Sequence, residues 1–244
     1  MNDNRVNIIG VPISAVNMES CVQNIFEDFE NTRGKYICVS NVHTTVMAHD
    51  NPDYYRVQSD SFMSIPDGKP LSVVGKKKYH DMDRVTGPDL MRRIIEESKK
   101  RQIRHFFYGN NKDNLDKLIK TIHQNYPWLI VCGYEPSVFR DMTEQEETDL
   151  AERINQTKPD FVWVALGAPR QEYFCSRMKD RINGLMVGVG GAFNVLAGII
   201  PEAPIWMQKL SLEWFYRFLQ EPKRLFKRYA VTNTKFIWYL LTKR

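Results

Sequence analysis

The sequence predicts an α/β protein: a mostly parallel sheet with helices on both faces, followed by a helical appendage at the C-terminal end. Three observations carry this reading. Near-continuous apolar runs such as Phe161-Val162-Trp163-Val164-Ala165-Leu166 alternate with amphipathic segments, the pattern of strands buried on both faces. Apolar residues make up 43% and aromatics 12% of the 244 residues, enough for a substantial core. Charge is segregated: from residue 201 onward nine Lys/Arg stand against three Glu, so that of a net charge of +5 the first 200 residues carry −1. The chain therefore divides into a core, residues 1–200, and a basic appendage, residues 201–244.

Taken in order, Val6 to Ile9 reads as a short strand, and Ser14 to Phe29 carries helical spacing through Val16, Cys21, Ile25 and Phe29. Tyr36 to Ser40 is a strand ending at Asn41, with a helix beginning around Thr44. Ser61 to Ile65 alternates polar and apolar residues, then breaks at Pro66-Asp67-Gly68, ideal turn chemistry that also aims one carboxylate. Pro88 opens a helix reaching about Lys100, in the position proline favours. His105 to Gly109 is a strand and Lys112 to Tyr126 a helix. Leu129 to Tyr134 is the next strand, followed by a helix from Thr143 to Thr157 whose Thr143/Glu146 spacing makes a capping box. Phe161 to Leu166 and Leu185 to Val189 complete the strands.

In such sheets ligands bind outside the carboxyl ends of strands, which directs attention to the loops at Asn41, Gly109, Gly167 and Gly188–Gly191. After Leu166, Gly167 permits a tight turn, Pro169 starts a helix, and Arg170-Gln171-Glu172 fill its first turn. That arrangement suits a phosphate at the helix N-terminus, with Gln171 toward a uracil or sugar edge; an ordinary connection with a solvated first turn has the same sequence. Gly188-Val189-Gly190-Gly191 lets a backbone approach a ligand closely, but the GxGxxG spacing fails at Phe193 and there is no GxxxxGK[ST]. Arg84 and Thr86 lie just ahead of a helix start, well placed for an anion. Asp81 and Asp83 have the spacing sugar transferases use to hold a divalent metal, though so short an acid pair arises readily by chance, and His80 and Arg84 beside it suit a solvated face. The histidines (43, 49, 80, 105 and 123) show no zinc-ligand spacing, and no GxSxG elbow occurs.

The four cysteines form no CxxC pair and read as core residues of a reducing compartment. With no secretory signal and no uninterrupted apolar span of about 18 residues, a cytoplasmic location is expected. In the appendage, Pro222 begins a helix after an earlier one holding Glu213, Trp214 and Arg217. At about 100° per residue, Arg224, Arg228 and Lys235 share one side, opposite Leu225, Phe226, Tyr229, Phe236, Ile237 and Leu240. A basic helix rich in aromatics suits an anionic membrane surface; docking of its apolar side on the core is the other reading. Nucleic acid is not expected, since the core is slightly acidic and no recognised motif is present.

Taken together, Asn41-Val42-His43, Pro66-Asp67-Gly68-Lys69-Pro70, Arg84 through Met91, Gly167 through Glu172, Gly188 through Phe193, and Ala203-Pro204 through Glu213-Trp214 to Arg217 and Glu221 to Arg224 resemble the WecG/TagA/CpsF family of bacterial glycosyltransferases (glycosyltransferase family 26). The resemblance spans nearly the whole chain. It implies a Rossmann-like core whose appendage reaches the membrane and helps complete the site. The implied reaction is metal-independent, inverting transfer of a sugar, typically N-acetylmannosamine, from a UDP-sugar to a polyprenyl-diphosphate-linked sugar. That reaction belongs to teichoic acid, capsule or exopolysaccharide synthesis at the cytoplasmic membrane face. By position Asp67 matches the proposed base, Asn41, Arg84 and Gln171 match pocket residues, and Arg217 and Arg224 match arginines on the diphosphate. Thr86, Gly167, Gly190, Asn194 and Arg228 join them as substrate-binding candidates. The sequence departs from the family at Val39, Asn194 and Lys227, where Thr, Asp and Arg are common. No cofactor is implied, and homo-oligomerisation is left open. A non-catalytic nucleotide-sugar-binding or tethering module of polysaccharide assembly is the alternative, and a Rossmann oxidoreductase is disfavoured by the broken glycine spacing.

Overall fold

The structure, a computed structural model, describes residues 4–210 and 212–242, with the side chains of Lys209, Arg224, Lys227 and Arg228 outside the description. The chain opens with an antiparallel hairpin, β1 (Arg5–Ile8) and β2 (Val11–Ser14), then α1 (Met18–Glu27), β3 (Tyr36–Ser40), α2 (Val42–Asp50), α3 (Pro52–Ser59), β4 (Met63–Pro66) and α4 (Lys69–Lys76). There follow α5 (Gly87–Glu97), β5 (Arg104–Gly109), α6 (Lys112–Asn125), β6 (Ile130–Glu135), α7 (Glu144–Gln156), β7 (Phe161–Ala165), α8 (Arg170–Arg177), β8 (Leu185–Gly188) and α9 (Ala192–Leu196). The appendage supplies α10 (Ile205–Lys209), α11 (Glu213–Gln220) and α12 (Pro222–Thr242). The six strands β4-β3-β8-β7-β5-β6, in that order, form one all-parallel sheet.

Strand alternation builds a core on each face. Ile37, Val39, Ile65, Phe107, Phe161, Trp163 and Val187 meet α1, α5, α6 and α9 on one side. Tyr36, Cys38, Phe106, Tyr108, Val162, Val164 and Met186 meet α2, α3, α7 and α8 on the other. This is the two-sided cover that the apolar strands require.

The hairpin departs from the sequence reading, which carried helix back to Ser14. The helix begins at Met18, where Asn17 and Ser20 form a capping box. Ile9 and Gly10 turn the chain with φ of +47° and +83°, the primed geometry of a tight hairpin. A β-branched first turn residue hides that signal, since such residues rarely take positive φ. The hairpin covers edge strand β4: Ser14 Oγ accepts from Ser64 N at 2.9 Å, and Arg5 donates to the carbonyls of Ser59 and Ser61.

The polar positions of Ser61–Ile65 are not a solvent face. Ser64 Oγ lies 2.7 Å from Ser40 Oγ, and both hydroxyls reach Gln58 Oε1 in the interior. In α12, Leu225, Thr232, Phe236 and Tyr239 are buried, while Phe226 and Ile237 stay 65% and 56% exposed. The apolar stripe is therefore wider than its contact with the core. Lys235 pairs with Asp50 at 2.6 Å, and Tyr239 donates to the same carboxylate. Among the described residues no helix is long and apolar enough to cross a membrane.

Candidate active site

The helices that follow the neighbouring strands β3 and β8 lie on opposite faces of the sheet, α2 on one and α9 on the other, and the carboxyl ends of β3, β4 and β8 meet beside that switch point, where ligands of open α/β sheets bind. Past the end of β4, Asp67 N donates to Ser40 O at 2.7 Å, so the ladder continues one residue and brings the carboxylate to its rim. Gly68 then caps α4 with φ of −91°. That is ordinary backbone, so the turn does not depend on glycine's left-handed freedom.

Val85 N donates to Pro66 O at 2.8 Å. This bond lays residues 84–86 along the end of β4 and sets Arg84 and Thr86 beside Asp67. Thr86 caps α5, accepting from Asp89 N and donating to Asp89 Oδ2. Asn41 caps α2, its Oδ1 accepting from His43 N and Thr44 N, so the cap uses the oxygen and leaves the amide nitrogen. A Cβ on Gly68 would lie 3.8 Å from Asn41, which places the two loops in contact.

From the appendage, Glu213 grips Arg84 through both guanidinium nitrogens, with Nη2 3.1 Å from Oε1. Arg217, one turn further on α11, reaches over the glycine-rich loop: its Nη2 is 3.2 Å from where a Cβ of Gly191 would stand. Asp67 is half-buried among these groups. Loss of water raises its pKa most; Arg217 and Arg84 pull it back, Glu213 and Asp89 push it up, and the result is about 6. A carboxylate so poised takes up a proton readily at neutral pH.

The loop after β7 is no solvated turn. Gln171 and Glu172 are 4% and 1% exposed. Gln171 donates to Gly188 O at 3.0 Å and to Glu172 Oε1 at 2.9 Å, and accepts from Gly167 N at 3.2 Å. It is a buried strut tying the ends of β7 and β8, with each end of its amide engaged inside the protein. Glu172 has its pKa raised by burial to about 7. Gly188 is glycine because Gln171 fills the space: a Cβ there would stand 3.2 Å from Nε2. Gly167 and Gly190 hold φ of +77° and +52°, where L side chains are strained. Asn194 lies further along the same rim, accepting from Asn110 Nδ2 at 2.6 Å.

The structure thus gathers Asp67, Asn41, Arg84, Thr86, Gly190 and Arg217 around one crevice, with Gln171 and Gly167 behind its wall and Asn194 along its rim. The side chains of Arg224 and Arg228 lie outside the described residues. Glu213 was not singled out in the sequence as a site residue. Its four-residue spacing from Arg217 is the signal that both share one helix face. Asp81 and Asp83 do not converge as metal ligands: Asp83 pairs with Lys69 and Lys76, while Asp81 faces solvent beside His80. Among the described residues no group of three His, Cys, Asp or Glu side chains is placed to hold a metal.

A doubly wound sheet, a poised carboxylate and cationic side chains at the switch point describe an α/β enzyme of group transfer. More particularly, the chain belongs to the glycosyl transferase WecG/TagA/CpsF family, whose model matches residues 6–244; it is a glycosyltransferase of the hexosyltransferase kind. It is similar to the N-acetylglucosaminyldiphosphoundecaprenol N-acetyl-beta-D-mannosaminyltransferase of Bacillus subtilis (strain 168), 30% identical over 93% of this chain and 90% of the relative. The protein of the same name from Bacillus spizizenii is 30% identical over 80% of this chain and 75% of the relative. The one from Staphylococcus aureus (strain MW2) is 25% identical over 92% and 88%.

Proposed function

We propose that the chain transfers N-acetylmannosamine, with inversion and without a metal, from a UDP-linked donor to a polyprenyl-diphosphate-linked N-acetylglucosamine, in the synthesis of a bacterial cell-surface polymer. The names of the relatives support the sugar and the acceptor. The observation that carries the reading is Asp67, held at the end of β4 between Arg84 and Arg217 with its pKa raised to about 6. The acceptor hydroxyl attacks the anomeric carbon and gives its proton to Asp67, while the bond from that carbon to the β-phosphate oxygen breaks and UDP leaves with the electron pair. Arg217, reaching over the glycine-rich loop, supplies positive field for the departing diphosphate.

The appendage supports action at the cytoplasmic membrane face. Helix α11 turns Glu213 and Arg217 toward the crevice and leaves Trp214 and Leu219 53% and 59% exposed. Beyond the contacts of Trp214 and Phe218 with Tyr229 of α12, its apolar side is exposed, opposite to an ordinary surface helix, and suits an interface with lipid.

The test is transfer measured as UDP release with a short-chain polyprenyl-diphosphate N-acetylglucosamine. Asp67→Asn is expected to fold and to lose at least about a hundredfold in turnover, the low end for a general base. In the wild type kcat/KM is expected to fall tenfold per pH unit below about 6, because the base must be ionised. Near wild-type turnover of Asp67→Asn would remove the assignment; UDP-sugar binding with no turnover in the wild type would favour a binding module instead.

A further inference from the structure

Among the described residues three ion pairs join the appendage to the core: Arg92 to Glu202 at 2.5 Å, Lys235 to Asp50 at 2.6 Å, and Arg84 to Glu213. The first two lie on the surface. The third stands in the crevice, half-buried and two-pronged, which is the geometry that makes a guanidinium–carboxylate pair specific. Its placement raises a question of charge. A site that receives a diphosphate has no use for a carboxylate, which repels the ligand, yet α11 brings Glu213 to the same crevice as Arg217.

The neighbours of Asp67 supply the answer. Those that act on its charge are Arg84, in the segment leading into α5, Asp89 in α5, and Arg217 and Glu213 in α11. An Arg84 released from Glu213 is available to pair with Asp67, on whose charge it already acts. That would pull down the proton affinity of the base and occupy the oxygen that must take the acceptor's proton. Glu213 occupies the guanidinium instead.

We propose that Glu213 is a positioning residue for the transfer reaction: delivered by the appendage, it anchors Arg84 and keeps Asp67 free to act as the base. This rests on the reading of Asp67 given above. It makes docking of α11 a condition for a competent base as well as for the arginine that faces the leaving group.

The test uses the full-length chain, UDP-N-acetylmannosamine and the short-chain acceptor, with kcat/KM followed from pH 5 to 8. Glu213→Gln is expected to lower kcat about tenfold and to move the acid limb down by about half a pH unit or more, because one negative neighbour of Asp67 is gone. In an Arg84→Gln background the same substitution is expected to add little, since Glu213 acts through Arg84. Glu213→Asp keeps the charge but is one methylene short; by loosening its hold on Arg84 it is expected to lose kcat and to move the limb in the same direction as Glu213→Gln, by less. An acid limb that stays in place in a folded Glu213→Gln, or losses that add fully in the double variant, overturns the proposal. Should Glu213→Gln fail to fold, wild-type kcat in Glu213→Asp overturns it. Asp67→Asn run alongside separates the two readings. If that variant is inactive and the limb of Glu213→Gln is unmoved, only the role of Glu213 falls. If Asp67→Asn turns over normally, both fall.

Discussion

At the scale of single residues, His105 shows how a buried group and a functional one part ways. Its ring lies within bonding distance of a serine hydroxyl, 2.9 Å from Nε2 to Ser98 Oγ, which resembles an activated nucleophile. Trp163 donates to the other ring nitrogen, Nδ1, at 3.0 Å, and Ser98 donates to Ile94 O at 2.8 Å. The neutral ring must therefore give its own proton to Ser98, so it cannot accept one from it. Burial lowers the pKa of His105 to about 3. In the unfolded chain the ring takes a proton near pH 6.5, so between those values the unfolded state binds more protons and stability falls as the pH drops. Denaturant unfolding at pH 7.5 and pH 4.5 should show this term in the wild type, about 2–3 kcal/mol, and lack it in His105→Gln. The raised pKa values of Asp67 and Glu172 act in the opposite sense, since those acids destabilise the fold as the pH rises toward 6 and 7. They are common to both proteins and cancel in the comparison.

Among the elements, the junction of β7, α8 and β8 is tied by one buried side chain. Gln171 braces two neighbouring strand ends from the first turn of a helix, and its amide has a partner at each end. Gly188→Ala would drive a methyl into that amide in the middle of the sheet. We expect it to cost about 1–3 kcal/mol in urea unfolding, by strain and by the loss of buried hydrogen bonds. The sequence made this loop visible through Gly167, Pro169 and the three polar residues that follow, but it could not say which way they face. A glutamine at the start of a helix reads as solvated. What turns Gln171 inward is the space left empty at Gly188, in a neighbouring strand that no local rule connects to it. The same limit applies to Ser64, whose alternation with Met63 and Ile65 resembles a half-exposed strand until the hairpin of β1 and β2 covers it. Where periodicity and caps were local, as at Thr143–Glu146, in the helix read from Lys112 to Tyr126, or at Pro222, the element boundaries were legible to within a residue or two.

For the molecule as a whole, the contrast between a core of net −1 and a strongly basic appendage was plain in the composition, and so was the crevice, because strand ends locate it. What composition could not show is that the appendage is held on the core by Phe236 and Tyr239 and by Asp50 while its Trp214 side is left outward. Replacing Trp214 and Leu219 together by Glu should therefore leave the thermal melt unchanged and lower co-sedimentation with anionic phosphatidylglycerol vesicles at least about fivefold, by loss of apolar area and added repulsion. Equal sedimentation would exclude α11 from the contact. The strand order has one more consequence, for the newborn chain. Strands β3 and β4 form one wing and β5, β6 and β7 the other, and the wings share no ladder until β8 slides between β3 and β7. Asp67 and Asn41 are synthesised early, yet the seam they flank is closed by residues 185–188 and furnished later still by Glu213 and Arg217. Long-range closure of this kind is slow. A ribosome has thus delivered every residue through Arg217 before the crevice is furnished, and shorter nascent chains hold the acid without the pocket that would put it to use.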